Sequence, residues 1–219
     1  MPRGCAFHTQ HALRKKILRI QSTIENKRAA GGFRLFRFRW VFRREATTRV
    51  AGAQGRARHW PMTTKMIHPA TRIGHVHLKV ADLERALGFY RDVLGFELTQ
   101  RFGASVAFLS AGGYHHHIGL NTWESADGRP PAEGTTGLYH LAILYPTRAE
   151  LADALRRLMK AGIPLEGASD HGVSEALYLR DPDDNGVELC WDRPQQEWPR
   201  TADGLAMFTR PLDLDSLLK

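Results

Sequence analysis

Cysteine is almost missing from this 219-residue chain: Cys5 and Cys190 are the only two. They are too few and too far apart to suggest a disulfide framework or a cysteine-rich zinc site. A reducing compartment, the cytoplasm, is the default expectation. Long apolar runs are missing as well. No stretch reaches the roughly 18 apolar residues a transmembrane helix needs, so no membrane span is expected. Acids are scarce at the front, where residues 1–61 hold 15 Lys and Arg against 2 Asp and Glu, whereas residues 62–219 hold 16 against 21. The formal charge of +8 is therefore the sum of +13 in the leading segment and −5 in the rest, and the basic character belongs to the leader alone.

That leader is a poor core. Phe33 to Trp40 interleaves apolar residues with arginines, and there are almost no acids nearby to pair with them. A transit peptide and an electrostatic nucleic-acid arm are two readings of such a composition. A third is an unstructured or non-native extension, with Met62 or Met66 as the true initiator, and the organised pattern that starts only after these residues favours it. Residues 1–65 are accordingly set apart as an extension, and no nucleic acid is expected for the folded part.

From residue 71 onward the chain reads as one design used twice. Ile73 to Val80 alternates, with His75 and His77 on one face and Val76, Leu78 and Val80 on the other. A helix over Asp82 to Leu94 follows, with Asp82 as N-cap and Gly95 as stop. Three strands are predicted next, at 96–98, 105–110 and 114–121, separated by Gly103 and the Gly112–Gly113 pair. After a Gly-, Pro- and acid-rich linker over 122–136 the order repeats. Leu138 to Leu144 is a strand, Thr147 and Glu150 form a capping box for a helix ending at Gly162, and strands are predicted at 164–166, 176–180 and 187–191. The expected fold class is α+β, with two paired βαβββ modules, 71–121 and 136–193, forming a cupped mixed sheet. Residues 194–219 are an amphipathic tail that either docks or frays.

The two copies each open on a histidine, His75 and His140, and Glu188 lies in the last strand of the second copy. Two imidazoles and one carboxylate on one face are a set that holds a divalent metal and leaves other positions open. A lone histidine in a strand is more often a satisfied surface or core residue. Matched repeat positions together with Glu188 argue for the ligand reading.

The Gly74-His75-Val76-x-Leu78-x-Val80 opening, Phe89 to Gly95 at the helix end, His140 and the Asp181-Pro182-x-x-Asn185-Gly186-x-Glu188 ending together resemble the vicinal oxygen chelate superfamily, over residues 70–193. This superfamily includes glyoxalase I, fosfomycin-resistance transferases, bleomycin-binding proteins and extradiol catechol dioxygenases. The resemblance implies metal ligands His75, His140 and Glu188 on the concave face of a cupped sheet. Glyoxalase-type members carry a carboxylate or amide where this chain has Gly119, so three ligands remain. The chain is most similar to single-domain catechol 2,3-dioxygenase-like proteins, which implies Fe(II), or Mn(II) or another divalent ion, a small aromatic diol and dioxygen, and a homodimer. His116 is then the acid–base group near bound oxygen, with Tyr178 and His171 orienting the substrate. The alternatives are a glyoxalase-like isomerase or thiol transferase, and a small-molecule-binding resistance protein.

His77, His117 and Asn121 are the candidate substrate contacts. His77 shares the His75 face. In a regular strand His115 and His117 point away from the His116 face, so His117 reaches the pocket only if the strand bulges. For Asn121 a structural role is the simpler reading, and Cys190 reads as a small core residue.

Overall fold

The structure, a computed structural model, describes residues 65–219. The readings of the basic leader concern residues outside that range. By internal contacts, the described residues fall into two parts, 65–74 and 75–219. The first contains a turn closed by the Thr71 amide donating to the His68 carbonyl at 2.9 Å.

Helix starts follow from the side chains that precede them. Asp82 stands in extended backbone and its carboxylate accepts from the Arg85 amide at 3.0 Å, which opens α1 (Leu83–Leu87). Thr147 does the same for the Glu150 amide at 3.2 Å and opens α2 (Arg148–Ala161), and such a cap contributes about 1 kcal/mol. Gly162 ends α2 at φ +73°, the left-handed conformation that a glycine adopts without steric cost. One departure from expectation lies at the end of α1. The α-helix stops at Leu87 and widens into a π-helical turn, Gly88–Val93, with the Leu94 amide reaching back to the Phe89 carbonyl.

Both βαβββ units are present. The first comprises β1 (Val76–Lys79), α1, β2 (Glu97–Phe102), β3 (Val106–Ser110) and β4 (Ile118–Asn121), in the sheet order β1-β4-β3-β2. The second comprises β5 (Leu141–Leu144), α2, β6 (Gly167–Asp170), β7 (Ser174–Arg180) and β8 (Gly186–Asp192). In each unit the first strand pairs parallel with the last, β1 with β4 and β5 with β8, and the other neighbours are antiparallel. The intervening helix makes the crossover such a parallel pair requires. Residues 164–166, predicted as a strand, precede β6, which forms three residues later.

The segment after Arg193 does not fray. A short hairpin, β9 (Arg200–Thr201) with β10 (Gly204–Leu205), leads to β11 (Arg210–Pro211), which adds antiparallel to β6 as the fifth strand of the second sheet. Helix α3 (Leu214–Leu217) buries Leu214 and Leu217 in the common core. Arg148 of α2 donates to the Ser216 carbonyl at 3.0 Å and so anchors that helix.

One apolar cluster joins both units. Leu78, Leu109, Ile118 and Leu120 from the first sheet and Leu83, Leu87 and Tyr90 from the first helix meet Leu151, Leu155 and Leu158 of α2 and Leu177, Leu179 and Leu189 of the second sheet. A fully buried leucine of this kind contributes about 1.5–3 kcal/mol. The turn between β7 and β8 adds polar links. The Asp181 carboxylate accepts from the amides of Asp183 and Asn185 at 2.9 and 2.8 Å and from the Tyr90 hydroxyl at 2.9 Å, while Asp183 accepts from the Ala81 amide at 3.0 Å and pairs with Arg85. Burial first, then Asp181, pushes the Tyr90 hydroxyl well above its ordinary pKa, so it stays a donor.

Candidate metal and substrate site

In the second unit, strand register places the chemistry. Tyr178 on β7 lies opposite Glu188 on β8, and Glu188 lies opposite Ala142 on β5, so that His140, two residues before Ala142, is on the same face. Gly186 permits this. A Cβ there would collide with the Tyr139 carbonyl and touch the His140 side chain, so only glycine lets the start of β5 lie so close to β8.

The resulting side chains form a connected chain. His140 Nε2 lies 2.8 Å from Glu188 Oε2, and the Tyr178 hydroxyl lies 3.3 Å from Glu188 Oε1. His171 Nε2 is 2.7 Å from the same hydroxyl, and His171 Nδ1 meets the Phe208 carbonyl at 3.1 Å and Thr209 Oγ1 at 3.2 Å. Burial, then the charge of Glu188, raises the Tyr178 pKa, so the phenol is neutral across the physiological range. Nδ1 of His140 is buried with no partner among the described residues. Cys190, on the Glu188 face, has its thiol pushed up to about 12 by burial, with Glu188 adding to it. It is an inert wall.

The first unit is built differently. β4 begins only at Ile118, so the alternation expected over 114–121 does not hold for residues 114–117. A regular strand would carry His116 with Ile118, whose side chain is in the core, so the pocket placement expected of His116 depends on the strand starting late. Its ring lies 4.4 Å from that of His75 and 4.7 Å from that of Phe108. Its Nδ1 is 2.8 Å from Nδ1 of His115. His117 is turned the other way. Its Nδ1 accepts from the Ala111 amide at 3.3 Å and lies 3.1 Å from Ser110 Oγ, a buried hydroxyl that the sequence did not single out.

His77 shares the His75 face, as its spacing predicts, and crosses Gly119. A Cβ on Gly119 would lie 2.9 Å from His77 Cγ, so the imidazole fills the space that a side chain at position 119 would take. Phe108 and Trp123 flank it, with ring centroids 5.9 and 5.7 Å away. Asn121 is buried, and its side-chain oxygen accepts from the Trp123 amide at 3.2 Å, a contact within the fold. The pKa values of His77 and His116 are both lowered, mainly by burial and next by the neighbouring His75.

The structure thus brings His140, Glu188, Tyr178 and His171 into one chain, and His75, His77 and His116 into one ring cluster. Among the described residues no three His, Cys, Asp or Glu side chains are assembled as a metal-holding group. His140 and Glu188 nevertheless suit one ion. Two donors side by side on a cation at about 2.0–2.2 Å lie about 3 Å apart, close to the 2.8 Å between these atoms, and the Glu188 oxygens face an imidazole and a phenol. Sequence reasoning missed Phe208 and Thr209, because nothing in a tail peptide marks a backbone carbonyl as a contact for a distant imidazole. Among the described residues no helix is long and apolar enough to cross a membrane.

Known proteins supply the context. The chain is 44% identical over 154 residues to catechol-2,3-dioxygenase of Bacillus subtilis, covering 70% of this chain and 53% of that protein. It is 33% identical over 121 residues to biphenyl-2,3-diol 1,2-dioxygenase 3 of Rhodococcus globerulus, covering 55% and 63%. It therefore spans about half to just under two thirds of the length of these curated relatives. Among solved structures it is similar to a glyoxalase/dioxygenase from Nostoc punctiforme, with 20% identity, a TM-score of 0.48, and coverage of 61% of this chain and all of that one. Residues 72–189, which contain both modules through Glu188, match a family model, and the chain belongs to the Glyoxalase/Bleomycin resistance protein/Dioxygenase superfamily.

Proposed function

We propose that this protein is a metal-dependent extradiol dioxygenase that opens the ring of a catechol-type aromatic diol beside its hydroxyls, with dioxygen as co-substrate. The observation that carries the reading is the Glu188 carboxylate, held between His140 and Tyr178 with His171 behind the tyrosine. A diol needs a charged anchor with a hydrogen-bonding group beside it, and these residues supply both. The names of the two curated relatives, which act on catechol and on a biphenyl diol, support the same substrate class.

His140 and Glu188 would hold the ion, with His75 as the third ligand from its matching position in the first unit. Fe(II) is the proposed metal, and Mn(II) is the nearest substitute for such a donor set. When bound, the ion supplies a positive centre for the diol oxygens and a site for dioxygen. The protein does the rest. Tyr178, neutral and hydrogen-bonded, orients the diol. Phe108, His77 and Trp123 form an aromatic wall on the first-unit side. His116, next to His75, would give or take the proton. A bare Gly119 covered by His77 offers no fourth ligand, which separates this site from a four-ligand isomerase.

The test is anaerobic reconstitution with Fe(II) followed by oxygen-uptake measurements against a panel of catechols. Oxygen uptake with formation of a yellow ring-opened product is expected. Saturable Fe(II) binding with no oxygen uptake on any catechol would overturn the reading and favour isomerase or thiol-transfer chemistry with another ion.

A further inference from the structure

The chain continues past the family match, and its continuation returns to the site. Residues 206–212 run beside β6. The Phe208 amide donates to the His171 carbonyl at 3.2 Å, Arg210 lies opposite Asp170 in the strand register, and the Leu212 amide donates to the Ala168 carbonyl at 3.3 Å. Phe208 is seated from two directions. Its ring takes the space beside Gly172, where φ is +77° and a Cβ would lie 2.5 Å from Phe208 Cε1, and the Arg210 guanidinium lies 4.3 Å from the ring centroid. Both backbone polar groups of Phe208 are thus committed to one residue, His171.

That commitment points to where the hydrogens are. A carbonyl oxygen accepts and cannot donate, so the hydrogen in the contact between His171 and Phe208 belongs to Nδ1. A neutral His171 then has its lone pair on Nε2, and the Tyr178 hydroxyl 2.7 Å away donates to it. Tyr178 has one proton, and Glu188 Oε1 at 3.3 Å competes for it. A proton added at Nε2 reverses the arrangement. Nε2–H then donates to the phenol oxygen, and the phenol proton turns toward Glu188. One proton enters at Nε2, one is presented on the Glu188 side, and the count balances.

We propose that Phe208 is a positioning residue: its carbonyl locks His171 in the Nδ1–H tautomer, which leaves Nε2 as the nitrogen that exchanges a proton with the site through Tyr178. The consequence for turnover rests on the ring-cleavage reading. The tautomer does not.

The experiment is long-range ¹H–¹⁵N correlation spectroscopy on the full-length, metal-free protein, with His171→Gln used to assign the ring. The expected result for neutral His171 is a protonated Nδ1 and an unprotonated Nε2. The opposite tautomer, or an average of the two, overturns the proposal. Gly172→Ala, which displaces the Phe208 ring, is expected to give an averaged tautomer and to lower kcat for ring cleavage about tenfold or more with KM within about threefold. Should that variant fail to fold, Phe208→Ala carries the same expectation. A folded variant that keeps the pure Nδ1–H tautomer removes Phe208 from the role. Thr209→Val should leave the tautomer unchanged, and a change there would transfer the role to the threonine. A locked tautomer in a protein that consumes no oxygen sinks the ring-cleavage reading alone, whereas an averaged tautomer in an active enzyme sinks only the lock.

Discussion

The two units share a fold and divide the chemistry unequally. In the second, every step from His140 through Glu188, Tyr178 and His171 to Phe208 is a polar contact of 2.7–3.3 Å. In the first, His75, His77 and His116 are held chiefly by ring contacts with one another and with Phe108 and Trp123, at centroid distances of 4.4–5.9 Å. Hydrogen bonds fix direction, whereas ring packing fixes only proximity. A repeated backbone can therefore carry one half that is already oriented and another whose rings can turn to meet a ligand.

The sharpest way to break this comparison is to remove one group from each half. Glu188→Ala is expected to abolish Fe(II) binding and oxygen uptake together, as isothermal titration and an oxygen electrode would show. His116→Ala is expected to keep the iron but to lower turnover about 10²–10⁴-fold, the usual loss for a positioned acid–base group. Iron lost with His116 would make it a ligand and erase the contrast between the halves.

A smaller effect tests the packing of the first unit. Gly119→Ala sets a methyl against the His77 ring, and overpacking of this kind costs about 1–3 kcal/mol. The thermal midpoint should fall, and Gly119→Ala combined with His77→Ala should recover most of the loss. A double variant as unstable as the single one would show that the ring is not what the glycine accommodates.

The smallest effects belong to buried groups outside the chemistry. Tyr145 has its pKa raised to about 12, mainly by burial, so the folded state keeps its proton where the unfolded chain releases it. Its contribution is present below pH 10 and is lost as pH rises from about 10 to 12. Tyr145→Phe should flatten the decline of the unfolding midpoint across that window. Cys190, also raised to about 12, should resist thiol reagents at pH 8 in a variant lacking Cys5 and react at once in denaturant.

Much of this was legible from the chain. Asp82, Thr147 and Gly162 act through their own side chain or their own backbone freedom, so their roles as caps and stop are local facts, and the structure places them as expected. The order of strands and helices follows from alternation and helical spacing. Three features were not legible, each for a non-local reason. β6 forms at Gly167–Asp170 because β7 and β11 pair with it there, and neither partner is visible in a window around Pro164. His116 and His117 exchange faces because the chain before Ile118 is not a strand, and the period of two fails with it. Phe208 acts through its carbonyl, which no residue type reveals.

The turn Asp181–Asn185 has a consequence for how the molecule comes apart. It joins the strand carrying Tyr178 to the strand carrying Glu188, and it holds Tyr90, Arg85 and the Ala81 amide of the other repeat. Melting either repeat would strip those partners from buried carboxylates, so neither has an inexpensive route to unfolding alone. Duplicated modules are often imagined as beads that open one at a time. Here the clasp between the repeats is expected to make them unfold as one cooperative unit, so that a distant lesion in the first helix reaches the site as a change in the population of the whole folded protein.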